Sequence, residues 1–157
     1  MKTIQWLVVS AALATGMVSP ASAATTDPEV IIYRFPGVLD NGGLTNTGSA
    51  TTFHCTNFSG GTETLRFVTR DSSAVLITNV TFNIGHLATL TVPTHSTLAY
   101  NDTILTLGTG AVQGTTAIAA TSINIICTAM TIDASTTAPI GVALRGIRFN
   151  PVPGSQE

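Results

Sequence analysis

Polar and apolar residues alternate along most of the chain with a period of two. Thr51, Phe53 and Cys55 fall on one parity, and Thr52, His54 and Thr56 on the other. Such alternation is the mark of a strand with one buried face. The first predicted strand is Val30–Phe35, stopped by Pro36-Gly37, with a turn at Asp40-Asn41-Gly42-Gly43. Ala50–Phe58 follows, with Phe53 and Cys55 inward and His54 outward. Thr62–Arg70 is the third strand, with Leu65 and Phe67 inward and Arg66, Val68 and Arg70 outward. Val75–Ile84 and Leu87–Val92 are the fourth and fifth. Leu98–Leu107 reads as a sixth, its parity slipping near Asp102, and Gly108–Gly114 as a loop. Thr115–Ala120 and Ser122–Met130 read as a hairpin or bent pair. Ile126 opposes the parity of Ile123, Ile125 and Cys127, so this strand is expected to be covered on both sides. The last strand is Gly141–Phe149, with Val142 and Leu144 inward and Arg145 outward; Pro151 and Pro153 then end any ladder.

Eight or nine short strands about ten residues apart, with no helical period, describe an all-β antiparallel sandwich. An early and a late strand joined by Cys55 and Cys127 make it immunoglobulin-like in general architecture, by analogy. The tryptophan of antibody domains is missing, since Trp6 is the only one in the chain.

The leader changes the composition. Lys2, an apolar run over Ile4–Met17, the break at Ser19-Pro20 and the small residues Ala21-Ser22-Ala23 form a secretory signal pattern. Cleavage after Ala23 would leave residues 24–157 as a single domain, with a flexible start at Ala24–Pro28 and a tail at Asn150–Glu157. The expected location is therefore periplasmic or extracellular, with no membrane span after cleavage. Lys2 is the only lysine, so five arginines face eight acids in the mature chain and its net charge is −3. Without a basic run there is no nucleic-acid footprint. In an oxidising compartment the two cysteines are expected to form one disulfide. The alternatives are two buried thiols or a metal pair, and two cysteines alone make no zinc site.

The blocks F-H-C-T-N-F at 53–58, S-I-N-I-I-C-T-A-M at 122–130 and R-F-N-P-V-P-G at 148–154 resemble those of small secreted bacterial proteins. That resemblance implies export and brings no ligand or catalytic residue. The residues themselves offer little chemistry. No G-x-S-x-G elbow is present, and His54, His86 and His95 lack the spacing of a triad or a metal site. Asp102 follows His95 only in sequence, Met130 fits a strand end, and Asp40 fits a turn better than a calcium loop. Glu63 and Asp71 end one strand about 26 Å apart at ~3.3 Å per residue, too far for a glycosidase pair. Asn57, Asn79 and Asn101 open glycosylation-type triplets of the kind that arise by chance in a threonine-rich chain. No catalytic residue, cofactor or metal is expected. The candidate binding residues are Arg66 and Arg70, whose guanidinium forks on one strand face suit an anionic or carbohydrate ligand. The expectation is thus a secreted, non-enzymatic binding, surface or envelope-associated module with a protein or carbohydrate partner. A hydrolase with a dispersed site, or a self-associating surface or fibre subunit, is the alternative.

Overall fold

The period-two pattern folds into two antiparallel sheets packed face to face, nine strands in all among the described residues. The structure is a computed structural model that describes residues 29–41, 45–100, 103–108 and 112–149. The signal region, the leader Ala24–Pro28, Gly42-Gly43, Asn101-Asp102, part of the Gly108–Gly114 loop and the tail Asn150–Glu157 lie outside them. The strands are β1 (Val30–Asp40), β2 (Ser49–Asn57), β3 (Glu63–Asp71), β4 (Leu76–Ile84), β5 (Thr89–Pro93), β6 (Val112–Ala120), β7 (Ile125–Asp133), β8 (Gly141–Leu144) and β9 (Ile147–Arg148). One sheet has the order β4-β3-β6-β1-β9, the other β5-β2-β7-β8.

Between the sheets Phe35, Phe53, Phe67 and Phe82 step across β1, β2, β3 and β4, with ring centroids 5.6 to 5.9 Å apart. Edge and tilted contacts of this kind add to apolar burial. Ile32, Val38, Leu65, Val92, Ile118 and Ile125 fill the space around them. Cys55 and Cys127 face the same core and are disulfide-bonded, their Cα atoms 4.1 Å apart. They sit directly opposite each other on neighbouring strands β2 and β7. The bridge therefore staples one sheet to itself, whereas in antibody domains it runs between the sheets.

Several elements depart from the sequence expectation. Pro36-Gly37 does not stop β1. Gly37 takes φ 78° at a bulge, and the strand runs on to Asp40. A glycine at positive φ adds a residue without a steric penalty, and the register resumes beyond it. Leu98–Leu107 forms no strand in its described part. Ala99 and Tyr100 lie on the outer face of the second sheet, against Ala50, Ile132 and Met130. Leu105 and Leu107, by contrast, lie in the core, tied to Pro93 and Thr94 by main-chain hydrogen bonds. β6 and β7 are not a hairpin: residues 121–124 carry the chain from one sheet to the other. The last strand is broken too. β8 pairs with β7, then the chain crosses at Arg145-Gly146 and β9 pairs with β1. Gly146 passes so close to Phe35 that a Cβ there would lie 2.4 Å from its ring. Val142 is exposed and only Leu144 packs against the core. Ile126 is 49% exposed, so β7 is central in its sheet but covered on one face only at that point. No helix among the described residues is long and apolar enough to cross a membrane.

Candidate binding cleft

Alternation places every second side chain of β2 and β7 on the outer face of their sheet. Thr52, Thr56 and Thr128 are among them; Thr56 bonds Thr89 of β5 at 2.8 Å, and Thr91 of β5 bonds the His54 ring at 3.2 Å. At one end the pattern changes. Phe58, one residue beyond β2, and Ile126 of β7 stand on this face 50% and 49% exposed. The Phe58 amide donates to the Asn124 carbonyl at 2.8 Å, which holds the two segments side by side. Arg148 of β9 reaches round the edge, donating from Nη2 to the Ile123 carbonyl at 3.0 Å while its guanidinium lies over the Tyr33 ring. Phe58, Asn124, Ile126 and Arg148 line a cleft of about 340 Å³.

The cleft adjoins an open strand edge. β8 covers β7 only from Ala129 to Ile132, because the chain leaves that sheet after Leu144. From Ile125 to Thr128, β7 has a strand partner on one side only, β2, among the described residues. The main-chain groups of this segment that do not face β2 point away from the sheet, as they do at any edge. The site therefore combines a strand edge without a second strand neighbour among the described residues, two apolar side chains, an amide and a cation.

The three histidines are engaged elsewhere. His95 is buried, with Nδ1 2.9 Å from Oδ2 of Asp40, itself buried. Its Nε2 donates to the Thr47 carbonyl at 3.0 Å. Asp40 is thus no exposed turn cap but the buried hydrogen-bond partner of this ring. A histidine bonded to an acid is the core of a hydrolase triad, yet here both ring nitrogens meet protein acceptors and neither reaches solvent. His54 is held between Thr52 and Thr91, with Tyr100 edge-on at 4.9 Å. His86 accepts from the Gly60 amide at 3.0 Å. Two acids, Glu63 and Asp133, are held ionised by neighbouring hydroxyls. The Thr121 hydroxyl, and after it that of Ser59, hold the Glu63 carboxyl below its usual range. Ser135 does the same for Asp133, through its hydroxyl and its amide. A general acid at neutral pH needs the opposite shift.

Arg66 and Arg70 do share the outer face of β3, but each serves the fold. Nε of Arg66 lies 2.6 Å from Oε2 of Glu29, a residue no sequence signal linked to it. Arg70 donates to the Ala74 carbonyl at 3.0 Å across the turn into β4. Asp71 accepts from the Ser73 and Val75 amides in that turn. Asn57 is buried, its amide donating to Gly61 and Ile84, which leaves no nitrogen for a glycan. The cleft residues went unseen in the sequence, although one signal was there: Phe58 and Ile126 are apolar on the parity where their neighbours are threonine. No family model, curated protein or solved structure matches the chain.

Proposed function

We propose that the chain is an exported, non-enzymatic binding module, and that it takes an extended peptide strand along Ile125–Thr128. The observation that carries this reading is the open half-edge of β7 beside the Phe58–Ile126–Arg148 cleft. An added strand gains main-chain hydrogen bonds from the edge, and pockets for alternate side chains select it. Phe58 and Ile126 favour an apolar side chain. Arg148 favours a carboxylate nearby, since a guanidinium offers five donors and its bond to Ile123 uses one. Export is supported by the signal pattern ending at Ala23 and is compatible with the Cys55–Cys127 bridge. The engagement of all three histidines within the fold supports a non-enzymatic role.

The test uses a displayed library of random decapeptides, selected on the exported chain with its bridge intact. Peptides that pair an acid with alternating apolar residues should be enriched, and should perturb the amide resonances of Ile125–Thr128. Ile126→Thr with Arg148→Gln should lower their affinity at least tenfold, whereas Arg66→Ala with Arg70→Ala should not. Loss of binding in the Arg66/Arg70 variant alone would move the site to the outer face of β3. Enrichment unaffected by either pair, or a glycan array hit in place of peptides, would overturn the reading.

A further inference from the structure

We infer that two copies of this chain pair edge to edge through β4, in a closed two-fold dimer centred on Thr81. β4 is the terminal strand of the five-stranded sheet, and β3 is its strand partner. The other three sheet edges are blunted. β9 has two residues, β8 four, and β5 five, ending in Pro93. β4 has nine, L-I-T-N-V-T-F-N-I, with no charge, proline or glycine. Natural proteins guard such an edge with lysine, proline or a bulge, and this chain has no lysine beyond Lys2.

The second copy is the occupant that the register itself selects. Thr69 pairs with Thr78 and Arg70 with Leu76, so Ile77 is bulged out of the ladder. The regular part of β4 is therefore Thr78–Ile84, and its midpoint is Thr81. A two-fold axis perpendicular to a sheet must pass through a residue, because opposed side chains lie on the same face. Placed at Thr81, it sets Thr81 against its own copy, Asn79 against Asn83, Val80 against Phe82 and Thr78 against Ile84. The outer face then carries only amides and hydroxyls, which hydrogen-bond to one another. On the inner face, Val80 and Phe82 are only partly buried in one copy and pack against the core from its rim; the pairing would cover them. The nearest charge on the outer face is Arg66, opposite Thr81 on β3, and Glu29 neutralises it. In the pair the two Arg66 residues would stand three strand spacings apart, about 14 Å, beyond the ~8 Å screening length of physiological salt. Both β4 edges are used up, so the assembly stops at two copies.

The experiment is light scattering and sedimentation of the exported chain from 1 to about 200 μM, with variants on the exposed face of β4. The wild-type chain should show a concentration-dependent dimer. Thr81→Lys places two like charges opposite each other and should weaken dimerisation at least tenfold while circular dichroism stays that of the parent. Thr81→Cys should oxidise to a covalent dimer, because opposed residues of an antiparallel pair lie about 4.5–5.5 Å apart between Cα atoms. Val75→Cys, exposed but outside the regular ladder, should do so much more slowly. A wild-type chain that is monomeric throughout overturns the inference. So does a dimer that Thr81→Lys leaves intact, or equal oxidation of the two cysteine variants.

Discussion

His95 shows how one buried ring can organise several connections. Asp40 ends β1, Thr47 lies in the link to β2, and His95 follows β5, so the pair and its carbonyl partner join three segments at one end of the sandwich. Removing the acceptor of a buried ring N–H leaves that donor without a partner, at about 1–3 kcal/mol. Asp40→Ala should accordingly lower the unfolding free energy by about 2 kcal/mol in urea titration, with the β-sheet signal of the native state retained. A loss below about 0.5 kcal/mol would mean that the site is wet and the pair unimportant. None of this was legible in the sequence. Asp40 sits in a run of turn-formers, His95 lies 55 positions away, and neither carries a local sign of burial. What was legible at this scale was parity, as in Phe53 and Cys55 or Leu65 and Phe67, because alternation fixes direction once a strand is granted.

Strands β2 and β7 meet in nine consecutive residue pairs, of which the disulfide is the seventh. The ladder thus sets its own register without the bridge, and Cys55 and Cys127 only lock it. The chain with Cys55→Ser and Cys127→Ser should fold to the same amide spectrum and lose about 2–4 kcal/mol, the usual worth of such a cross-link. A variant that fails to fold, or one as stable as the parent, would contradict this division of labour. Cohesion between the sheets must come from the phenylalanine layer and from contacts such as Thr51, whose hydroxyl donates to the Leu39 carbonyl and accepts from its amide, both at 2.9 Å. Element boundaries failed in the sequence where glycine acts at long range. Pro36-Gly37 reads as a stop, yet β6 continues to pair beyond it and makes it a bulge. Gly141–Phe149 reads as one strand, yet Gly146 permits a crossing over Phe35 that no neighbouring residue announces. Ile126 was read as covered because it is apolar; its exposure follows from the early departure of β8, which is set by that same crossing.

At the scale of the whole molecule the sandwich follows from strand count, length and spacing, and the nearness of β2 to β7 from the two cysteines, though not their pairing within one sheet. The order of strands within each sheet does not follow, because it depends on pairings between segments far apart in the chain. β1 illustrates the consequence. Its first residues oppose Ala120 and its last oppose Val112, while its other partner is β9, near the end of the described chain. A ribosome or export channel delivers β1 first, but nothing delivered for the next 70 residues or so can pair with it. β2, β3, β4 and β5 emerge meanwhile, and of these β3 with β4 and β2 with β5 can already form ladders. The oldest part of the chain is therefore among the last to fold, and Ile32, Phe35 and Val38 stay wet until β6 arrives. In pulsed hydrogen exchange during refolding, the amides of Val30–Asp40 should gain protection together with Val112–Ala120 and after those of Glu63–Ile84. Earlier protection of β1 would point to a non-native pairing that shelters it during the wait.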